Sequence, residues 1–186
     1  MAGTVVDRLQ EIVDKQDIHE VAMRYCRACD RVDAALLRTV FHQDAYLAYG
    51  SFDGPATEFV PWVIKHIRED YVHGYHGIAN EYVVVEGDVA YGELYAVVNN
   101  AVVTEEGQVI ENMIWGRYID RYERRSGEWR IAHRQFLLDS IESRPSSDQA
   151  RDRPDQSEDG LAWGTRSIDD ASYSILPAQP NRALDW

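Results

Sequence analysis

A chain of 186 residues, 45% of them hydrophobic, is long enough for one ordinary domain with a real core and short for two. Its formal net charge of −13, from 32 acidic and 19 basic residues, argues against a phosphate-backbone partner, which needs clustered Lys and Arg. No apolar run approaches the ~20 residues of a membrane helix, and the charged start "MAGTVVDRLQEIVDKQ" lacks a signal-peptide apolar stretch, so nucleic acid and membrane are not expected as partners and the cytoplasm is the expected compartment.

In residues 5–30 the apolar positions Leu9, Ile12, Val13, Ile18, Val21, Ala22, Tyr25 and Cys29 recur every three or four residues. That spacing predicts a helix, with an interruption near 15–17. Cys26 and Cys29 stand three apart on it. A single CxxC with no second pair, outside a strand-to-helix turn, reads as two small buried hydrophobes in a reducing compartment rather than a redox or zinc motif. Asp33 is the expected N-cap of a short second helix that runs to Phe41. "AYLAYG" reads as a strand ended by Gly50, "SFDGPATEFVPW" carries turn residues, and 55–71 supplies a third helix that Pro61 bends or starts.

From residue 76 the pattern changes. Segments 76–86, 88–103, 109–125 and 128–141 alternate and are rich in Val, Ile, Tyr and Trp. Gly87-Asp88, Glu106-Gly107 and Ser126-Gly127 separate them as turns. Long antiparallel strands joined by short hairpins follow, and with the helices they predict an α+β fold. In it, three N-terminal helices close a strongly curved antiparallel sheet into a cone around a pocket. Arg121, Arg124, Arg125 and Arg130 bracket the last turn and read as a solvated face.

The domain is expected over 1–142, followed by a tail over 143–186. The tail begins polar and aperiodic in "SRPSSDQARDRPDQSEDG". It then carries Trp163, Tyr173, Ile175, Leu176, Leu184 and Trp186, anchors that predict docking on its own sheet, on a neighbouring subunit or across the pocket mouth. Across the chain, 11 Tyr and 5 Trp outnumber 4 Phe, which suits a pocket for an oxygenated ring ligand and equally an interface.

Three residues stand out for chemistry. Asp30 ends the first helix in "YCRACDRVD", at the negative end of the helix dipole, a poor place for a carboxylate unless it has work to do; the plain alternative is an exposed helix-end Asp. His76 opens a strand, with His73 and His133 as rivals. Those three histidines could hold a metal, although their spacing matches no zinc signature. Arg134 lies in the otherwise apolar "WRIAHRQFLL" and points either to solvent or inward to hold an anion.

The order of a helix Asp, "HGIAN" entering a strand, a "GDVA" hairpin and "YERRSGEWRIAHR" resembles the SnoaL-like branch of the nuclear transport factor 2-like superfamily over residues 8–140, with the tail unmatched. The resemblance implies a curved-sheet cone with a pocket between sheet and helices. As in scytalone dehydratase and hexachlorocyclohexane dehydrochlorinase, it implies an Asp–His pair that removes a proton as a leaving group departs, with no cofactor. The pair falls on Asp30 and His76, the family's Asn four residues on falls on Asn80, and its pocket arginine, five after Trp129, falls on Arg134. The dehydrochlorinase has Lys five residues before its Asp; Tyr25 stands there in this chain, which disfavours dehalogenation and favours an oxygenated substrate. Tyr25, Tyr46, Tyr49, Asn80 and Trp115 are the expected substrate-binding residues.

The expected function is a cofactor-independent lyase that eliminates water or formaldehyde from a small hydrophobic, hydroxylated aromatic compound. A lignin-derived diarylpropane diol giving a stilbene is one such case. The alternatives are an isomerase of the ketosteroid-isomerase or polyketide-cyclase kind, and a non-catalytic module that binds a small ligand or resembles a dioxygenase β subunit. Superfamily members pair through the outer sheet face, and the apolar residues on both faces of 109–119 fit a homo-oligomer, dimer or trimer.

Overall fold

The structure, a computed structural model, describes residues 4–147 and 160–176. Helix α1 (Val5–Asp30) opens with a reciprocal capping box between Thr4 and Asp7 and runs unbroken. The interruption expected near 15–17 is absent, because nothing there breaks a helix and Glu11–Lys15 and Gln16–Glu20 pair one turn apart. The core covers α1 only from Asp14 onward, so Leu9, Ile12 and Val13 are exposed although they continue the apolar stripe. Asp33 caps α2 (Ala34–Arg38) by accepting from the Leu36 N–H at 2.9 Å. This helix stops short of Phe41, which opens β1 (Phe41–Ala48). A three-residue β2 (Asp53–Pro55) leads into α3 (Ala56–Asp70), where Pro61 sits inside the helix.

Four long strands follow: β3 (Tyr71–Glu86), β4 (Val89–Val103), β5 (Val109–Arg125) and β6 (Glu128–Pro145). Ser126 and Gly127 both take left-handed backbone angles, φ 54° and 81°, as a tight hairpin demands. The sheet order is β2-β1-β6-β5-β4-β3. The sheet is mixed rather than antiparallel throughout, since β1 lies parallel to β6. After β1 the chain crosses over through α3 before the meander begins, and that crossover returns β6 in the direction of β1. Nor is the sheet curled as strongly as expected. Its central β4–β5 ladder runs from Val89↔Glu123 to Val103↔Val109 without a register shift, and the bends are left to bulges in the β3–β4 and β5–β6 pairings.

The core lies between α1, α3 and one face of this sheet, where Ile18, Val21, Phe59, Val60, Leu94, Tyr118, Tyr122 and Ile131 are buried. The arginines around the last hairpin form an ion-paired network, not a merely solvated face. Arg124 reaches Asp14 of α1 at 2.5 Å and Asp88 at 2.8 Å, while the Trp129 indole donates to the same Asp14 at 3.1 Å. Arg125 bridges Asp44 and Glu123, Arg121 also pairs with Glu123, and Arg130 pairs with Glu128.

Strand β6 continues past residue 142, and the described part of the tail docks on its own chain. There α4 (Ala171–Ile175) is capped by Asp170. Of the expected anchors, Tyr173 docks through its hydroxyl on Asp33, whereas Trp163, Ile175 and Leu176 stay exposed, and Leu184 and Trp186 lie outside the described residues. Among the described residues no helix is long and apolar enough to cross a membrane.

Candidate active site

Helix α1 and strand β3 run side by side in opposite directions, clasped at two points. His19 Nδ1 meets Glu81 Oε2 at 2.8 Å, and Asp30 Oδ1 meets His76 Nδ1 at 2.7 Å. The spacing explains why both form. Three helical turns from His19 to Asp30 and five strand residues from His76 to Glu81 each span ~16 Å. The first pair is open to solvent on the His19 side, with 41% of that side chain exposed, whereas His76 and Asp30 are 12% and 13% exposed.

Asp30 holds His76 twice, because its Oδ2 also accepts the His76 backbone N–H at 3.3 Å. An ionised Asp30 can only accept, so Nδ1 carries the proton and Nε2 is left bare. A bare, oriented imidazole nitrogen backed by a carboxylate is the usual construction of a general base.

A cluster of aromatic rings reaches this pair through Tyr25. Tyr25, one turn and a half before Asp30, presents its ring edge-on to His76 with centroids 6.1 Å apart. Its hydroxyl meets that of Tyr49 at 2.9 Å, and Tyr49 stacks on Phe136 of β6 at 5.8 Å. Burial pushes the Tyr49 hydroxyl up to about 12, and pushes Tyr25 well above its ordinary value, so both remain neutral donors near neutrality. Burial likewise pushes the Cys26 thiol up to about 12 and Cys29 higher, which keeps both free thiols protonated and un-nucleophilic.

Arg134 lies beneath the rings. Its guanidinium carbon stands 4.4 Å from the Tyr25 ring centroid and 4.1 Å from that of Tyr118. Nε and Nη2 donate to the two oxygens of Asp120 at 2.7 and 2.6 Å, and the Tyr122 hydroxyl donates to Asp120 at 2.6 Å. Nη1 is buried without a well-formed hydrogen bond, and the guanidinium faces the Tyr49 hydroxyl, whose proton affinity it lowers against the effect of burial. Burial opposes the charge on Arg134, but Asp120 outweighs it and holds the group well above its ordinary value.

Of the residues expected at the site, Asp30, His76, Tyr25, Tyr49 and Arg134 come together. Tyr46, Asn80 and Trp115 do not. Tyr46 points outward from β1, 46% exposed, and stacks on His133 across the parallel ladder. Asn80 would share a face with His76 in a regular strand, but the bulge between Ile78 and Glu81 shifts the alternation and leaves Asn80 exposed. Trp115 is three residues from Tyr118 on β5 and so lies on the opposite face. His73 bonds Glu111 at 3.0 Å, so the three histidines once weighed as a metal set have three separate partners.

Asp120, Tyr118 and Phe136 were not singled out from the sequence. Gly116, Tyr118, Asp120 and Tyr122 alternate along the buried face of β5, which marks Asp120 as an inward carboxylate. Its partner is hidden by a second bulge. Counting back from Arg125↔Glu128 pairs Asp120 with His133, whereas the register shift between Arg121 and Tyr122 pairs it with Arg134.

Residues 10–135 match the family model of the SnoaL-like domain. No curated protein matches the chain. Among solved structures, a Novosphingobium aromaticivorans protein provisionally named a scytalone dehydratase aligns at 16% identity and TM-score 0.63, covering 71% of this chain and 88% of that one. The hexachlorocyclohexane dehydrochlorinase LinA-type3 of Novosphingobium barchaimii aligns at 20% identity and TM-score 0.63, covering 75% and 94%. A nuclear transport factor 2-like superfamily protein of Salmonella enterica aligns at 17% identity and TM-score 0.60, covering 68% and 91%. At such identities the likeness shows the fold.

Proposed function

The chain belongs to the SnoaL-like domain family, and on that footing we propose that it is a cofactor-independent lyase acting on a hydroxylated aromatic compound. The observation that carries this is the 2.7 Å bond from His76 Nδ1 to Asp30 Oδ1, which makes Nε2 a fixed proton acceptor. His76 takes the proton, Asp30 stabilises the imidazolium, and the electron pair released expels a hydroxyl, which leaves as water by taking that proton back from the imidazolium. Where the substrate carries a neighbouring hydroxymethyl group, His76 takes its hydroxyl proton instead, the carbon–carbon bond breaks to release formaldehyde, and the electron pair left behind forms the double bond and expels the other hydroxyl, which takes the proton back from His76 as water.

Positioned proton transfer of this kind is worth ~10²–10⁴-fold in rate. Asp120 occupies two of the Arg134 nitrogens, so Nη1, together with the Tyr49 hydroxyl that this guanidinium faces, is left to meet negative charge on a substrate oxygen. Two features favour an oxygenated ring over a halide: Tyr25 stands where the dehydrochlorinase carries Lys, and Tyr25, Tyr49, Tyr118 and Phe136 stand together behind the base. A diarylpropane diol giving a stilbene is the specific substrate we favour. We propose also that the protein works as a homo-oligomer, dimer or trimer, which sedimentation at micromolar concentration tests.

The deciding experiment is a turnover screen of the wild type, His76→Ala and Asp30→Asn against phenolic diols, diarylpropane diols, hydroxylated ketones and a Δ5-ketosteroid. Ultraviolet absorbance follows conjugated product, and a formaldehyde assay names the fragment released. Conjugated product from the wild type, lost in both variants, is expected. Turnover of the ketosteroid alone would make the protein an isomerase. Equal binding of aromatic ligands by all three proteins with no turnover would make it a binding module.

A further inference from the structure

The buried face of β4 is apolar until Asn100. Ala90, Gly92, Leu94, Ala96 and Val98 alternate inward along the strand, and Asn100 continues the series with only 3% of its surface exposed. A buried amide needs partners. Asn100 lies in register between Asn112 of β5 and Gly74 of β3. On the β5 side the Ser143 hydroxyl donates to Asn112 Oδ1 at 2.6 Å, and Asn112 Nδ2 donates to Asn100 Oδ1 at 3.0 Å. This relay fixes the sense of the Asn100 amide. Its oxygen faces β5, so its Nδ2 is turned towards β3, where no described residue accepts from it.

His76 stands on that side. It pairs with Val98, two residues before Asn100, and therefore shares the same face of the sheet. Diagonal neighbours of this kind are ~7–8 Å apart. Beside His76 and opposite Asn100, Gly74 leaves the floor open. A methyl added at Gly74 would meet the Tyr71 ring at 3.7 Å, an ordinary contact, and nothing else. Arg166 of the tail pins the Tyr71 end of β3 by donating to the Tyr71 and Ile67 carbonyls. The space next to the base is thus bounded by His76, by a bare stretch of strand and by an oriented amide N–H.

We propose that Asn100 is a substrate-binding residue and that its Nδ2 holds a second oxygen of the substrate, across Gly74 from the group that His76 attacks. The site then selects a compound with two oxygen functions, a diol above all. An analogue that lacks the second oxygen leaves a buried N–H without an acceptor, and a polar site rejects such a ligand more sharply than an apolar pocket rejects a missing methyl. The inference rests on reading Asp30–His76 as the base pair.

The test is calorimetric binding by the full-length wild type, Asn100→Asp and Gly74→Ala, with turnover and melting temperature measured beside it. Asn100→Asp keeps the acceptor for Asn112 and removes the N–H. The two ligands are a diarylpropane diol and its analogue with the hydroxymethyl group replaced by methyl. The wild type is expected to prefer the diol by roughly ten- to hundredfold, and Asn100→Asp to lose that preference. Gly74→Ala is expected to weaken the diol at an unchanged melting temperature, a result that stands even if the Asp variant is unstable. A wild type without the preference, an Asp variant that keeps it, or an Ala variant that binds the diol as the wild type does overturns the proposal. Loss of the preference as expected, with no turnover by any protein, sinks the lyase reading and leaves the Asn100 subsite standing. Turnover that needs Asp30 and His76 but ignores Asn100 does the reverse.

Discussion

Arg134 and Asp120 meet in a two-bond ion pair with neither side chain exposed. Such a pair is stable only while complete. Asp120→Ala leaves a guanidinium buried without its counter-ion and deprives the Tyr122 hydroxyl of its acceptor. The expected loss is ~3–5 kcal/mol in urea unfolding. Replacing both partners with apolar residues, Arg134→Met with Asp120→Leu, is expected to recover most of that stability and none of the turnover. A double variant that is stable and active would show Arg134 to be scaffolding alone.

Asp30→Asn is nearly isosteric but reverses the hydrogen-bonding sense, because an amide can donate to Nδ1. The wrong tautomer then places a proton on Nε2. The expected drop in kcat is ~10²–10⁴-fold with KM little changed, and His76→Ala should fall as far. Groups that act as one unit do not add, so the double variant is expected to be no slower than the worse single one. Multiplicative losses would separate the two residues.

Much of this site was legible before any coordinates. Asp30 at the end of a helix and the strand that carries His76 follow from periodicity, because helices and strands repeat regularly, whereas Asp30, His76 and Arg134 as a set come from the family resemblance, residue type alone leaving Arg134 either outward or inward. The failures share one cause. Asn80 and the Asp120–Arg134 pairing each depend on a bulge, and one inserted residue flips the face of everything beyond it. Alternation therefore misplaces residues on the far side. The parallel placement of β1 is a matter of chain crossover, which local pattern does not encode. In the tail, Tyr173 is an expected anchor, but Arg166 and Asp170 give no sequence signal, because they act as single side chains and not as a repeating face.

Gly116 of β5 leaves no room for a side chain against β6. An added methyl there would run into the Phe136 ring and stand 2.6 Å from the Leu137 carbonyl oxygen, and backbone cannot yield as a side-chain tip can. Gly116→Ala is expected to destabilise the fold by ~1–3 kcal/mol. Because Phe136 stacks on Tyr49, ligand affinity should weaken with it. Unchanged melting would mean that the two strands separate there more easily than their packing suggests.

Alkaline pH should loosen the fold before it titrates exposed groups in full. Cys26 moves from an ordinary 9.0 to about 12 and Tyr49 from 10.0 to about 12, both chiefly through burial. The folded chain thus binds these protons more tightly than the unfolded chain. Their contribution to stability is complete below the unfolded values, begins to fall as the pH passes about 9, and is gone once it has risen through about 12. Melting followed by circular dichroism should be level to about pH 9 and then decline steeply, and Cys26→Ala, which removes one such group, should soften the decline. A melting temperature that stays level to about pH 11 in the wild type would mean that water reaches these groups in the folded state.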